Sequence, residues 1–559
     1  MKEAKTFIKS MVTFLLLSIA SAGALAATPL KVQILSFNDF HGNVQPPKGS
    51  DALLQKSEYP LNTKPVELGG SEYLASTLKK LRMQAEYSLT VTAGDVIGGS
   101  PLFSGMFHDE PTVESMEALG LDVSSVGNHE FDEGLRELLR MQYGGCHPDD
   151  GCYFPGVAYD GADFPWLAAN VLYNGTSKSI LPKTWVKKIN GVDIGFIGMT
   201  LAGTPELVSQ SGIQGLTFVD EIKAANTAVN ELHKQHVRAI VLLLHEGGFQ
   251  TGIYSGCDGI SGPIVTLAKN LNAEIDLIVT GHTHRAYICS LPDPNGHLRH
   301  VTSASFYGHL VTETWLTIDR ATRDVIRNST KSTNVMVERT VAPDAAQTAL
   351  IAKWFPLYEP KAKQQVGSIT NAIIATDRSQ PSSLGNMIAD SWLASSLSSP
   401  SFAEIALINP GGIRASLACP EPGPCPVTYE DLYKVLPFGN TILTLTLTGE
   451  QLKQVLEEQY EDAKAKQRIL GVSNGFTLDF LPNGVKDNRI RNVQINGQPL
   501  DLIKNYRVTV SQNMLEGSVL NDGLNRTGVS GDLEALQAYM KNKSPVSPPP
   551  VDRVRMVVQ

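Results

Sequence analysis

The chain has 559 residues, of which 42% are hydrophobic and 18% are charged, and it contains 48 Gly and 32 Pro. This composition is typical of a globular protein with many turns, and it excludes a collagen-like, coiled-coil or wholly disordered chain. The formal net charge of -9 argues against a broad nucleic-acid-binding surface, which needs clustered Lys and Arg, but it leaves room for a small phosphate ligand in a local cationic or metal site.

The first 26 residues predict a cleaved signal peptide. Lys2, Lys5 and Lys9 are followed by an apolar run at residues 11–20 and by the small-x-small sequence Ala24-Leu25-Ala26. A short membrane anchor is the alternative, but the run is well under the roughly 18 residues that span a bilayer. We therefore expect a periplasmic or secreted protein without a stable membrane anchor.

The six cysteines fit an oxidising compartment. Proximity in sequence suggests the pairs Cys146–Cys152 and Cys419–Cys425, which leaves Cys257 with Cys289. Six cysteines allow other pairings, so the connectivity stays open. A zinc-thiolate site is the rival interpretation, but the paired C-x-x-C spacing that it requires does not occur in the sequence.

Short β-branched runs alternate with helical patterns from Lys31 to about Val335, which predicts an α/β catalytic domain over residues 27–335. Several of the strands are apolar throughout, as a sheet buried on both faces requires. The predicted strands are residues 32–36, 88–91, 123–126, 195–198, 239–244 and 276–279, and the predicted helices are 72–86, 112–119 and 220–235.

A second α/β region follows. Residues 336–365 predict a connector helix, and residues 366–559 form a C-terminal domain. Its predicted helices are 384–396 and 449–460, and its predicted strands are 404–408, 441–448 and 507–511.

Polar residues follow five strands of the first domain at the point where each strand ends. In an extended chain residues i and i+2 point the same way, so Asp39 and His41 can face one ion. The candidate ligands are Asp39, His41, Asp95, Asn128, His245, His282 and His284. Carboxylate, amide and imidazole donors suit Zn²⁺, Mn²⁺ or a similar divalent ion. Seven donors exceed one tetrahedral site and favour two metals that share a bridging carboxylate, an arrangement suited to phosphoryl transfer.

Each fragment alone is weak evidence, because a D-x-H or G-N-H sequence is more often a loop cap. Together, the series D-x-H, G-D, G-N-H-E, H and G-H-x-H resembles the calcineurin-like metallophosphoesterases. The segments FNDFHG, TAGDVIGGS and VGNHEFDEG resemble the 5'-nucleotidase branch of that family. The resemblance implies a four-layer α/β/β/α catalytic domain and a C-terminal α/β substrate-binding domain.

The resemblance also implies roles for individual residues. One metal would be held by Asp39, His41, Asp95 and His284. Asp95 would bridge to a second metal held by Asn128, His245 and His282. His129 and Asp132 match the catalytic dyad of the family, with a structural histidine as the alternative for His129. The remaining histidines are assigned to the surface or the core, at positions 108, 147, 233, 236, 297, 300 and 309.

The implied mechanism is an in-line attack on phosphorus by hydroxide that the two metals supply. Asn128 would stabilise charge on the phosphoryl oxygens. His129 would lie beside the leaving group, with Asp132 orienting its ring.

Two motifs of the C-terminal domain, NPGGIR at residues 409–414 and LPFGN at 436–440, would be a turn and a core aromatic on single-sequence grounds. The resemblance implies instead that they bind a nucleotide. Arg378, Asn409 and Arg414 would contact phosphate or ribose, and Gly411 and Gly412 would let the backbone approach. Phe438 would stack on the base, Asn440 would meet its polar edge, and Asp522 would bind the ribose hydroxyls. Met514 aligns with the position where the family has a second stacking aromatic.

The leading hypothesis is therefore an exported dimetal phosphohydrolase that releases phosphate from 5'-nucleotides, with UDP-sugars and nucleotide diphosphates as further candidate substrates. A 2',3'-cyclic nucleotide phosphodiesterase/3'-nucleotidase is the close alternative, and a non-catalytic nucleotide-binding surface protein is a more distant one. The expected partner is a small-molecule nucleotide and not a nucleic acid.

Overall fold

The computed structural model describes most of the chain after the predicted signal peptide, and residues 1–26 lie outside the part that it describes. The described residues are 28–208, 212–375, 377–397, 402–420, 422–461, 466–515 and 518–557. No helix within these ranges is both long enough and apolar enough to cross a bilayer.

Two six-stranded sheets form the first half of the fold. The first sheet has the strand order Lys331–Met336, Leu310–Ile318, Leu30–Phe37, Ser88–Thr92, Val123–Ser125 and Trp166–Leu167. The second has the order Ala286–Pro292, Leu298–Ala304, Leu277–Thr280, Ala239–His245, Val192–Thr200 and Thr184–Ile189. The central neighbours in both sheets are parallel, so their carboxyl ends lie at a common edge.

The two sheets pack face to face and helices cover their outer faces. Val32 and Ile34 lie in the apolar layer between the sheets, whereas Leu35 and Phe37 of the same strand lie under the helices. Helices Ser71–Arg82, Glu110–Leu119, Gly134–Tyr143 and Ala345–Ala362 cover the first sheet, and Glu221–Lys234 and Pro263–Asn270 cover the second. This confirms the four-layer α/β/β/α arrangement, and every strand predicted from an apolar run is present.

Helix Ala345–Ala362 lies within the predicted connector, residues 336–365. The Asp344 side chain caps its first turn. Trp354 is buried, and its indole N–H donates to Glu114 at 3.0 Å. This helix is therefore packed against the helical layer of the first sheet along its length.

A five-stranded sheet is the centre of the C-terminal region. Its strand order is Gly471–Val472, Ile405–Ile408, Asn505–Ser511, Thr441–Thr448 and Leu524–Gly531. Helices Ser383–Leu397 and Asp532–Lys543 cover one face. On the other face lie helix Gly449–Glu457 and a four-stranded sheet in the order Gln498–Pro499, Ile490–Ile495, Phe476–Phe480 and Val554–Met556.

The remaining elements are short. Helices Leu102–Gly105 and Tyr429–Val435 face each other between the two regions. Paired strands are Gln365–Ile369 with Cys425–Thr428, Tyr460–Glu461 with Lys466–Gln467, and Val171–Tyr173 with Leu216–Phe218. The cysteines form the three pairs that sequence proximity suggested, Cys146–Cys152, Cys257–Cys289 and Cys419–Cys425.

Some of the outer strands of both sheets were not predicted. Strands Leu298–Ala304 (LRHVTSA) and Lys331–Met336 (KSTNVM) mix polar and charged residues with apolar ones. The prediction relied on apolar runs, which are typical of strands buried on both faces, and these two sequences are not apolar runs.

Candidate metal centre

The seven candidate ligands converge because the strands that precede them end at a common edge. Asp39, His41, Asp95 and Asn128 follow strands of the first sheet, and His245, His282 and His284 belong to or follow strands of the second sheet. The site therefore forms only when the two sheets are packed together.

Most of these ligands lie on left-handed backbone, which for residues other than glycine costs about 1–2 kcal/mol each. The φ angles are 51° at Asp39, 46° at His41, 49° at Asp95, 70° at His282 and 54° at His284. Backbone hydrogen bonds between neighbouring loops hold the strained conformations: Asp39 N donates to Gly94 O at 3.1 Å, and His41 N donates to Asp95 O at 3.0 Å. Strain of this kind is typical of functional sites, where the surrounding fold imposes it.

Asp39, His41 and His284 form one group of donors that could hold a metal ion. His41 Nε2 lies 3.1 Å from His284 Nε2, and His284 Nε2 lies 3.4 Å from Asp39 Oδ1. The other ring nitrogen of His41, Nδ1, donates to the Gly98 carbonyl at 2.8 Å. That bond orients the ring so that Nε2 faces the centre of the group, as is common for metal-binding histidines.

Asp95, His245 and His282 form a second group. Asp95 Oδ2 lies 2.9 Å from His245 Nε2 and 3.6 Å from His41 Nε2 of the first group. Asn128 Oδ1 lies 3.0 Å from His282 Nδ1. The carboxylate of Asp95 thus lies between the two groups, where a bridging ligand would have to be.

The donors fit a divalent metal pair. His245 Nδ1 donates to the Ala93 carbonyl at 2.7 Å, so its buried Nε2 faces the carboxylate of Asp95 at 2.9 Å. An imidazole that is oriented in this way by a backbone carbonyl presents its other nitrogen to a metal.

The protonation states also suit metal binding. Burial alone would raise the pKa of Asp95, but the charges of His245 and His129 hold it well below its usual range. Burial lowers the pKa of His41 to about 3 and that of His282 to about 4. A carboxylate that stays ionised and imidazoles that stay neutral are the forms that bind metals. His245 is the exception: burial would lower its pKa, but the charge of Asp95 raises it to about 9, so His245 must lose a proton when a metal binds.

His129 and Asp132 form a hydrogen-bonded pair beside the first group. His129 Nδ1 lies 2.7 Å from Asp132 Oδ2, which also accepts from Gly99 N at 3.0 Å. The ring of His129 meets that of His41 edge-on, with centroids 4.9 Å apart. Burial would lower the pKa of His129, but the charges of Asp132 and Asp95 raise it to about 10. Asp132 therefore orients the ring at Nδ1 and favours its doubly protonated form.

Comparison with known proteins agrees with this geometry. Residues 32–286 match the family model described as calcineurin-like phosphoesterase, and residues 361–523 match the 5'-nucleotidase C-terminal domain. The chain belongs to the 5'-nucleotidase family of calcineurin-like metallophosphoesterases. It is a metal-dependent phosphoesterase by that membership.

Individual relatives span different shares of the chain. The endonuclease YhcR of Bacillus subtilis is 35% identical over 434 residues, which are 77% of this chain but only 33% of that protein. A 5'-nucleotidase of Vibrio cholerae is 25% identical over 504 residues, which cover 82% of this chain and 83% of that protein. A solved structure of a 5'-nucleotidase precursor from Thermus thermophilus has a TM-score of 0.69 at 24% identity, covering 94% and 99% of the two chains. That structural likeness concerns the fold.

The predicted substrate-binding residues of this phosphoesterase divide into two sets. Phe438 lines the same cavity as His129 and Asp132. The guanidinium of Arg414 lies 5.6 Å from the centroid of the Phe438 ring, and Arg414 and Arg378 line a neighbouring cavity. Phe438 therefore lies on the cavity of the dyad, and Arg414 lies beside Phe438.

The other predicted substrate-binding residues are engaged in hydrogen bonds within the C-terminal region or are exposed. Asn409 accepts a hydrogen bond from Gly412 N at 2.8 Å and caps the turn that contains Gly411. The Asn440 amide donates to Asp532 at 3.0 Å. Asp522 is exposed at the end of the turn Val519–Asp522.

Met514, aligned with the second stacking ring, is buried in the apolar core with Leu515 and Leu520. It therefore packs inside the C-terminal region and does not lie on the cavity beside Phe438.

Sequence reasoning missed the residues that support the ligands. Glu130 is buried, and its carboxylate accepts from the backbone N–H groups of Asp95, Val96 and Gly127, which ties two ligand loops together. Phe306 stacks on the His284 ring with centroids 4.9 Å apart and planes at 16°. The position of Glu130, directly after the G-N-H sequence, is a signal that could have identified it. The sequence near Phe306 contains no such signal.

Proposed function

We propose that this phosphoesterase releases phosphate from 5'-nucleotides with two divalent ions held by the seven donors described above. The observation that carries the proposal is the shared cavity: His129, Asp132 and Phe438 line one space, and the His129 ring meets the ring of the candidate ligand His41 edge-on. A nucleotide needs such a combination, because one end is a phosphate ester and the other an aromatic base.

We expect two metal ions because of the seven donors. Asp39, His41 and His284 would hold one ion, Asn128, His245 and His282 the other, and Asp95 both. Nitrogen and oxygen donors suit Zn²⁺, Mn²⁺ or similar ions. When bound, such a pair supplies a nucleophile near neutral pH and positive charge for the phosphoryl oxygens.

The chain's own residues would do the rest. His129 would give a proton from Nε2 to the leaving oxygen when its ring is doubly protonated. Asp132 stabilises that form by accepting from Nδ1–H, and Gly99 N donates to Asp132. Arg378 and Arg414 offer guanidinium groups for the phosphate. Phe438 offers a face for the base, with the Arg414 guanidinium nearby. Export to the periplasm or medium follows from the signal peptide predicted at residues 1–26.

The test uses purified residues 27–559, chelated and then resupplied with Mn²⁺ or Zn²⁺. We expect metal-dependent phosphate release from 5'-AMP. His129→Ala should lower it by about 10²- to 10⁴-fold, the range for loss of a general acid. The same variant should hydrolyse 4-nitrophenyl phosphate almost normally, because 4-nitrophenolate leaves without a proton. His297→Ala is the matched control, since that side chain is 76% exposed.

Other outcomes have definite meanings. Turnover of 2',3'-cyclic AMP and 3'-AMP without 5'-AMP would assign the site to a cyclic phosphodiesterase/3'-nucleotidase. Thermal stabilisation by nucleotides without hydrolysis at any metal loading would assign it to a binding protein.

A further inference from the structure

Tyr433 connects the C-terminal region to the loop beside the dyad. It lies on helix Tyr429–Val435, and its hydroxyl donates to the Ser100 carbonyl at 3.0 Å. The contact is close enough to exclude a side chain opposite it, because a Cβ on Gly105 would lie 2.3 Å from the Tyr433 hydroxyl oxygen. Burial raises the pKa of Tyr433, so the phenol remains a donor.

The loop that receives this hydrogen bond orients two residues of the site. Gly98 O accepts from His41 Nδ1 at 2.8 Å, and Gly99 N donates to Asp132 Oδ2 at 3.0 Å. Ser100 is the next residue along the chain. Gly98 and Gly99 both have positive φ, 78° and 57°. Glycine adopts many other backbone conformations equally well, so contacts such as the one from Tyr433 help to select this one.

The same helix is tied to the residues expected to bind the substrate. Arg414 N donates to Val435 O at 3.0 Å, at the last residue of the helix. The chain then runs directly into Pro437 and Phe438, which line the dyad's cavity together with Tyr433. A molecule that engages Arg414 and Phe438 therefore acts on the position of Tyr433.

We propose that Tyr433 is a positioning residue that couples seating of the substrate on Arg414 and Phe438 to the orientation of the His129–Asp132 pair through Ser100 and Gly99. This inference rests on the proposed function. Tyr433 itself does not carry out chemistry: it holds the loop whose amide fixes Asp132, and it does so when the C-terminal region is in place.

The experiment measures kcat and KM of Tyr433→Phe in the full mature, metal-loaded chain. For 5'-AMP we expect kcat to fall about 5- to 10-fold, the factor of one neutral hydrogen bond, with KM within about 2-fold. Hydrolysis of 4-nitrophenyl phosphate should be far less affected, because its leaving group needs no proton from the dyad. Tyr429→Phe on the same helix is the matched control and should behave as wild type.

Gly105→Ala supplies a second variant. It should lower kcat for 5'-AMP in the wild-type background, because the new methyl group displaces the Tyr433 hydroxyl. In the Tyr433→Phe background it should have no further effect, because the nearest ring carbon is then 3.4 Å away. Additive losses would overturn the proposal.

Amide hydrogen exchange of residues 97–105 provides a readout that does not depend on the substrate. Tyr433→Phe should speed exchange at the Gly99 amide. Unchanged exchange would overturn the coupling, as would equal losses on both substrates. If wild type hydrolyses only 4-nitrophenyl phosphate, the proposed function fails, and the exchange result alone decides whether Tyr433 holds the loop.

Discussion

Glycine occupies position 98, which lies against the backbone of the dyad, for a steric reason. A Cβ on Gly98 would lie 2.2 Å from the His129 carbonyl oxygen, and its φ is 78°. Gly151 has a φ of 76°, but a Cβ there would have nothing within 4 Å. The two positions therefore share a backbone conformation and differ in crowding.

We expect Gly151→Ala to cost about 1–2 kcal/mol, the penalty of left-handed backbone alone. Gly98→Ala should lower the melting temperature further and reduce phosphate release by more than about 10-fold, because displacing the His129 backbone misplaces the dyad. Thermal denaturation and activity assays of the two variants compare them. Equal effects at both positions would refute the steric account.

Phe306 fixes the ring of a candidate ligand by stacking on His284. Phe306→Leu should keep the fold but weaken metal binding by about 10-fold, the lower end of the effect of residues that orient metal ligands. Titration of the chelated protein with Mn²⁺ measures this. Phe402→Leu, at a ring 60% exposed, serves as the control, and identical affinities in both variants would contradict the role of Phe306.

At the scale of elements, the loop closed by Cys146–Cys152 is held to the catalytic region by a histidine. His108 lies 2.6 Å from Glu133 and 3.1 Å from Asp150 of that loop. Its ring stacks on His147, with centroids 3.7 Å apart. Burial would lower the pKa of His108, but Glu133, Asp150 and Glu137 raise it to about 9.

This shift has a definite consequence for stability. A histidine whose folded pKa is raised stabilises the fold fully below its ordinary pKa, and the contribution is lost as pH rises through about 9. We expect His108→Gln to cost on the order of 1 kcal/mol near pH 6, since Glu133 and Asp150 are partly screened by solvent. The difference in melting temperature between wild type and His108→Gln, near pH 6 and above about pH 9, measures this contribution. A deficit of the same size near pH 6 and above about pH 9 would show that His108 acts by packing and not by charge.

The elements that carry the ligands could be predicted from sequence, and their supporting residues could not. The runs before His245 and His282 are apolar, so each run predicts a buried strand. The polar residue that follows it is then recognisable as a candidate ligand. The stack of Phe306 on His284 and the bond from Tyr433 to Ser100 join residues through the tertiary fold. Local periodicity holds no information about such contacts. Met514 shows that a predicted site residue can also be wrong. Alignment of a position in a loop does not determine which way its side chain faces.

At the scale of the whole molecule, the metal centre joins the two sheets. Asp39, His41, Asp95 and Asn128 come from the first sheet, and the three remaining histidines come from the second. Two metal ions bound there would have ligands from both sheets. The unfolded chain has no such site. Metal loading should therefore stabilise the fold by about 3 kcal/mol at a hundredfold excess over the dissociation constant, and a melting temperature unchanged by chelation would contradict this arrangement.

The measurement that tests the central claim most directly is phosphate release from 5'-AMP by the chelated mature chain as Mn²⁺ or Zn²⁺ is added stepwise. The two donor groups that meet at Asp95 predict no release without metal and a rise that saturates near two equivalents of ion per chain. Full release in the presence of chelator, or no release at any metal loading while 5'-AMP binds, would contradict a dimetal 5'-nucleotidase.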